Sequence, residues 1–542
     1  MRLRRTTTLI TLLALATGLG AVASAPAGAA PSTVDRAGAV VWTDSGPVRG
    51  VIAADHRRFQ GIPYAAPPVG ELRWRSPRPP ATWTTPRDAT QPGNRCAQLP
   101  GAGTPPSVEE DCLYLNVTTP RFARHRPVLV WLHGGGFVAG SGSEYDARRL
   151  AVTGDVVVVT INYRLGVFGI FGHPGLAGSG TFGMEDQQAA LRWVKRNAAA
   201  FGGDPRRVTL VGQSAGAMAA CAHLTSPRAA GLFDRLIVQS GPCALNWPVN
   251  GLWPGAPAGS PFTAVADVEA IGAEVARNNS CEDPATALAC LRQVPAETLL
   301  NDEFAAALPG PAFGGRVLPL DPPVALAQGR FHKVPVLIGN NIDEGRLFAG
   351  LLWEHPITSE QYRATLDESF GPQAGRVAAR YRERVYGTPA LAWATVLTDR
   401  VWACTTRRTQ ELLAARVPTY AYEFADRDAP AFTEFPADFP PGAHHSAELA
   451  YLFEDVAGFA PELSPDQQRL SARITQYWAA FAATGRPDVR DAPSWPRYRA
   501  GARTPYTQSL APGRGGIGPV DTGATHRCGF WAEVSGTAGT GP

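Results

Sequence analysis

Through the middle of the chain, short runs of β-branched and aromatic residues alternate with stretches of helical period. Val128–Trp131, Val156–Ile161, Val208–Val211, Leu236–Gln239, Val334–Ile338 and Tyr420–Phe424 read as strands. Most are apolar at successive positions, as in strands covered on both faces. Between them lie helical stretches. The clearest is Glu185–Ala200, where Ala189, Leu191, Val194 and Ala198 form an apolar face. A Gly202-Gly203-Asp204-Pro205 turn is expected to end it before the next strand. Strand and helix repeated in this way predict an α/β fold, with a large, mostly parallel central sheet and helices on both faces. The intervals Cys243–Val334 and Asn340–Thr419 are too long for loops, so they are expected to carry further helices above the sheet. No repeat or linker divides residues 38–535, which predicts a single domain there.

Composition narrows the class. The 542 residues are 44% apolar and 18% charged, enough to bury a sizeable core. Formal net charge is +3 with the basic residues scattered, so no run marks a nucleic-acid or anionic-membrane surface. At the N-terminus, Arg2, Arg4 and Arg5 precede an apolar stretch from Leu9 to Val22, then small residues and prolines. That is the pattern of a secretory signal peptide, expected over residues 1–29, and it implies a secreted, extracellular product. The stretch is shorter than the roughly 20 residues a membrane span needs, and no later segment is long and apolar enough. Residues 536–542 are expected to form a flexible tail.

Export changes the reading of the eight cysteines, since an even number in an oxidising compartment suggests disulfides over metal sites. No CxxC or HExxH pattern argues for a metal. Cys96 with Cys112 and Cys281 with Cys290 are near enough in sequence to close local loops, and Cys404 with Cys528 would tie down the C-terminal region. Cys221 and Cys243 remain. Spacing alone does not fix the connectivity.

Gly212-Gln213-Ser214-Ala215-Gly216 is the one GxSxG in the chain. It follows the strand-like Val208–Val211 and precedes a helix-like Ala217–Leu224, the strand–turn–helix setting of a nucleophile elbow. Strand Val128–Leu132 runs into His133-Gly134-Gly135-Gly136-Phe137, whose glycines can aim successive N–H groups at one oxyanion, with the Ala215 N–H adding another. A phosphate loop is the rival reading, but neither GxGxxG nor GK[ST] stands here. In a serine–acid–histidine chain order the base follows Ser214. His444 and His445, in a Pro-rich loop after Tyr420–Phe424, fit best; His332 and His526 read as surface or packing residues. The acid is expected in Asn340-Asn341-Ile342-Asp343-Glu344-Gly345, where residue chemistry barely separates Asp343 from Glu344.

At this point the chain resembles the type-B carboxylesterase/lipase family, which includes the cholinesterases. The likeness rests on Phe59-Gln60-Gly61-Ile62-Pro63-Tyr64-Ala65, Glu110-Asp111-Cys112-Leu113-Tyr114-Leu115-Asn116 and the HGGGF loop, then Asn162-Tyr163-Arg164, the GxSxG, Gln239-Ser240-Gly241 and Cys528-Gly529-Phe530-Trp531. The resemblance implies an α/β-hydrolase fold and a carboxylic-ester hydrolase that needs no cofactor, takes a small-molecule ester and uses an acyl-enzyme intermediate. It implies the catalytic set Ser214, Glu344 and His445, the last opening an H-x-x-E pattern with Glu448. It also implies oxyanion donors at Gly135, Gly136 and Ala215, disulfides Cys96–Cys112, Cys281–Cys290 and Cys404–Cys528, and an Arg73–Glu110 ion pair; Cys221–Cys243 would be additional. Two departures stand out. Gln213 replaces the more usual glutamate before the serine, and the Cys96–Cys112 loop has no tryptophan to bind a choline cation. A lipase for long acyl chains is the nearest alternative; a non-catalytic binding module would lack part of the catalytic set. Trp247–Phe262 and Phe304–Phe313 are candidates for an acyl pocket or lid, with packing over the sheet the simpler expectation.

Overall fold

Eleven strands form the central sheet of the computed structural model, which describes residues 39–536 except 102, 103 and 309. The expected leader and all but the first residue of the expected tail lie outside the described residues. In chain order the strands are β1 (Val51–Ile52), β2 (His56–Pro63), β3 (Tyr114–Pro120), β4 (Arg126–Leu132), β5 (Val157–Ile161) and β6 (Gly203–Gln213). They continue as β7 (Arg235–Gln239), β8 (Val336–Asn341), β9 (Thr419–Phe424), β10 (Thr507–Leu510) and β11 (Ile517–Val520). Across the sheet they run β11-β10-β9-β8-β7-β6-β4-β5-β3-β2-β1. The pairings from β5 through β10 are parallel. Those joining β1, β2, β3 and β5, and β10 with β11, are antiparallel.

The continuous apolar runs have a simple cause. In β4, Val128, Val130 and Leu132 enter one buried cluster while Leu129 and Trp131 enter the other. Leu236 and Val238 part from Ile237 in the same way, as Val336 and Ile338 part from Leu337. Strand period two is present, but both faces are apolar, so the alternation does not show.

The structure shifts some expected boundaries. Pairing in β8 starts after Pro335, which has no N–H to give, so Val334 lies outside the strand. The helix expected at Glu185–Ala200 is α1 (Phe182–Asn197) followed by a 3₁₀ turn, Ala198–Phe201. Only Gly202, at φ +88°, acts as the stop; Gly203 already pairs with Arg126 at the start of β6. Both long intervals carry helices, among them Val265–Asn278, Pro322–Ala327 and Ser359–Phe370. Here α2 is Ala215–Thr225, and α3, Gly345–Leu351, follows β8. A π-helical stretch, Thr398–Ala403, separates Pro389–Leu397 from Cys404–Ala414. On the other face of the sheet lies α4 (Pro465–Thr484), which begins with a Ser464/Gln467 capping box.

All four disulfides form: Cys96–Cys112, Cys221–Cys243, Cys281–Cys290 and Cys404–Cys528. The additional pair ties α2 to the loop just beyond β7. Arg73 and Glu110 pair as the resemblance implies, and Arg73 also donates to the Leu291 and Val294 carbonyls. Among the described residues no helix is long and apolar enough to cross a membrane.

One histidine departs from its sequence reading. His332 is partly buried and meets the Ser226 carbonyl oxygen at 2.7 Å, in keeping with a packing role. His526 instead is buried as a charge bridge. Its Nδ1 lies 2.7 Å from Asp399 Oδ1 and its Nε2 2.6 Å from Glu423 Oε1. Arg527 reaches the other Asp399 oxygen at 2.9 Å, and Tyr381 donates to it as well. Burial alone would lower the imidazole's pKa, but Glu423 and Asp399 outweigh it and push it up to about 10. A folded-state value above the unfolded one, about 6.5, gives stability that is full below that value and lost as pH rises through about 10. Thermal melts should therefore show the wild-type Tm advantage over His526→Gln shrinking between pH 7 and pH 10. A constant gap over that range would contradict a charged His526.

Candidate active site

The turn between β6 and α2 is sharp and closely packed. Ser214 sits there at φ +54° and ψ −126°, a strained conformation for a residue with a side chain. Its N–H donates to the Gln239 carbonyl of β7 at 3.0 Å, and its own carbonyl accepts from Ala217 and Met218. The flanking glycines are required by contact. A methyl at Gly212 would lie 2.1 Å from the Gly216 oxygen, and one at Gly216 would lie 2.1 Å from the Leu132 oxygen. From Val208 to Ser226, Ser214 is the sole residue that is not buried.

The loop after β4 supplies the second element. Gly135, Gly136 and Phe137 all have positive φ, and Val138 and Ala139 donate to the Gly135 carbonyl at 3.0 Å. A methyl on Gly134 would lie 2.8 Å from Gln213 Oε1 and 3.0 Å from Ser214 Cβ, so this loop lies directly over the serine. Among the described residues, the N–H groups of Gly135, Gly136 and Ala215 donate to no protein acceptor. His133 braces the loop. It stacks on Tyr163 with ring centroids 4.3 Å apart, and Tyr163 donates to its carbonyl at 2.7 Å. Burial pushes the His133 imidazole down to about 4, so it serves as a neutral support. Gln98, inside the Cys96–Cys112 loop, accepts from Gly140 N–H at 2.8 Å and donates to Gly140 O at 3.1 Å. Nothing in the sequence marked Gln98 for this task.

Geometry separates the paired candidates for acid and base. Glu344 Oε2 lies 2.5 Å from His445 Nδ1, both side chains almost fully buried. Asp343 turns the other way, to Arg427 at 2.8 Å and Arg346 at 3.5 Å. His444 is buried against Phe432 and Phe435, and burial pushes it down to about 4. His445 is held against the elbow instead. Its Nε2 lies 3.4 Å from the side-chain nitrogen of Gln213, the residue before Ser214. That same nitrogen donates to Ser446 Oγ at 2.7 Å, and Ser446 carries a φ of +75°. Trp402, from the π-helical stretch, and Phe348, from α3, pack on the imidazole at 4.6 and 5.2 Å between centroids. Trp247 closes on both rings at 5.0 and 5.4 Å, so one end of Trp247–Phe262 adjoins the site.

An eleven-stranded sheet with a strained serine between its central strand and a helix defines an α/β-hydrolase. Residues 37–531 match the family model described as "Carboxylesterase family". The chain belongs to that family, and it is a carboxylic ester hydrolase. It is 34% identical over 507 residues to fumonisin B1 esterase of Sphingopyxis macrogoltabida, covering 88% of each chain. It is also 34% identical over 480 residues to para-nitrobenzyl esterase of Bacillus subtilis (strain 168), covering 86% of this chain and 93% of that one. Cocaine esterase of Oryctolagus cuniculus is 34% identical over 504 residues, with 86% and 91% covered. Among solved structures, a thermophilic PNB esterase superposes with a TM-score of 0.74 at 31% identity, over 91% of this chain and 99% of that one.

The two carboxylates predict opposite phenotypes. Glu344→Gln should lower kcat/KM at least about 10²-fold, the outcome expected of an orienting acid, since the neutral amide keeps the shape but loses the charge beside Nδ1. Asp343→Asn should leave kcat/KM within about threefold of wild type and lower Tm, since it weakens ties to Arg427 and Arg346. Steady-state kinetics and melting curves of the two variants check both statements.

Proposed function

We propose that the chain is a secreted carboxylesterase in which Ser214, His445 and Glu344 act as nucleophile, base and orienting acid. The observation that carries this reading is the buried Glu344–His445 contact lying against the elbow that exposes a strained Ser214. His445 takes the hydroxyl proton as Ser214 Oγ attacks the ester carbonyl. The carbonyl oxygen becomes an oxyanion held by the uncommitted N–H groups of Gly135, Gly136 and Ala215. As the tetrahedral adduct collapses, the imidazolium returns its proton to the departing alkoxide, leaving an acyl-serine. Water then attacks that acyl group by the same route and releases the acid, and Ser214 regains its proton. Glu344 keeps Nδ1 protonated and offsets the positive charge that His445 carries in between.

Secretion is supported by the basic-then-apolar leader pattern and by four disulfides, with no free cysteine among the described residues. We further propose that residues 38–535 act as one catalytic domain. For substrate class, the Trp247, Phe348 and Trp402 rings beside His445 favour esters that present an apolar group to the base. The relatives' names point to a fumonisin, a para-nitrobenzyl ester and cocaine, which share an ester bond and little else. A chain-length series of p-nitrophenyl esters distinguishes a short-chain esterase from a lipase.

A fluorophosphonate probe should label the purified enzyme at Ser214 and abolish hydrolysis. Ser214→Ala should lose the label and lower kcat by at least about 10⁴-fold, with Tm within a few degrees of wild type. Hydrolysis that survived in Ser214→Ala would sink the assignment.

A further inference from the structure

Below the proposed catalytic groups lies a second buried carboxylate, Glu448, which the mechanism does not use. Both of its oxygens are occupied. Oε1 accepts from Gln239 Nε2 at 3.2 Å and Oε2 from Asn341 Nδ2 at 2.7 Å. Neither amide is free to turn round. Gln239 Oε1 is taken by the Trp478 indole N–H at 2.9 Å, which leaves its NH₂ group for Glu448. Asn341 Nδ2 also donates to the His444 carbonyl at 2.7 Å, so both neighbours of that nitrogen are acceptors. The same residue's backbone N–H donates to Glu344 Oε1 at 2.8 Å, opposite the oxygen that holds His445. Asn341, the last residue of β8, therefore touches the acid, the backbone beside the base, and Glu448. Gln239 extends the chain of contacts to the nucleophile, since its carbonyl accepts the Ser214 N–H.

We propose that Asn341 is a positioning residue that pins the His445 loop to the acid and keeps Glu448 a charged carboxylate beside the proposed catalytic groups. The inference rests on reading His445 as the base. Burial opposes a charge on Glu448, as does the neighbouring Glu344 carboxylate, and both raise its pKa. The Asn341 donor acts in the opposite direction, and so does a positive charge on His445. The remaining titratable groups that sense this carboxylate are the Tyr422 and Tyr145 hydroxyls, both buried and both raised by desolvation. Gln239 and Asn341 each present an NH₂ group to a Glu448 oxygen, an arrangement that suits the anion, and the Asn341 bond opposes the rise that burial and Glu344 impose. An anion there favours the imidazolium that forms when Ser214 gives up its proton. Without the bond, the carboxylate takes up a proton more readily, and the base loop loses its tie to β8.

The test compares Asn341→Ala, Glu448→Gln and the double variant in the full-length enzyme, with p-nitrophenyl acetate hydrolysis followed from pH 5 to pH 9. Each single variant should lower kcat at least about fivefold with KM within about twofold. Each should also move the acid limb of the kcat/KM profile to lower pH by about half a unit, because a neighbouring negative charge is lost. The double variant should move it no further than Glu448→Gln alone. An unmoved acid limb in Glu448→Gln overturns the proposal, as do shifts that add in the double variant. If Asn341→Ala does not fold, Asn341→Ser replaces it, and Glu448→Gln still decides the charge. Failure of the underlying reading looks different: His445→Ala would retain activity.

Discussion

The backbone contact between the elbow and its neighbouring strands is the constraint on which the rest of the site depends. Gly216 meets the Leu132 carbonyl so closely that no side chain fits, and Gly212 meets Gly216 in the same way. That pressure, together with the Gln239 and Met218 hydrogen bonds, holds Ser214 in a conformation costing on the order of 1–3 kcal/mol. The cost is offset by position. β6 lies between β4 and β7 in the middle of the sheet, so the partners that fix the serine are themselves buried strands. β4 ends in the glycine loop that overhangs the serine, and β7 ends in the carbonyl that holds its N–H. One central strand thereby sets a reference point from which the other groups are measured.

Four buried histidines show how environment sorts one side chain into different tasks. His133 and His444 sit among rings and backbone carbonyls with no carboxylate in contact, and desolvation holds both neutral. His526 has a carboxylate on each ring nitrogen and carries a charge that ties the C-terminal segment to β9 and the π-helical stretch. His445 has one carboxylate on Nδ1, and its other nitrogen lies against the elbow. Only this half-committed arrangement suits a group that must gain and return a proton.

The sequence revealed the parts of the molecule whose signal is local. The apolar runs of β4 to β9 and the GxSxG turn are each written within a dozen residues. The outer strands were not seen. β2 opens with His56, Arg57 and Arg58, polar at successive positions and so on both faces, and β11 contains glycine and proline, so neither has a clear period. Gly203-Asp204-Pro205 read as a turn because those residues favour turns, yet sheet pairing with Arg126 overrode the preference. Residue chemistry barely separated Asp343 from Glu344 and only the family resemblance pointed to Glu344; in the fold Asp343 faces arginines and Glu344 meets His445. The Gln239–Glu448–Asn341 network was invisible, because its hydrogen bonds join residues about a hundred to two hundred positions apart.

Gln98 shows that the Cys96–Cys112 loop is mechanically joined to the glycine loop over Ser214. Two hydrogen bonds fasten it to Gly140, within the turn that follows the three glycines, and the Cys96–Cys112 bridge anchors it from behind. Length changes confined to the loop's outer tip would leave this latch engaged, whereas a shift of one residue at its inner end would drag the glycine loop that overhangs the serine. A lineage that varied this loop would thus be free at one end and held at the other, so diversity should gather away from the latch.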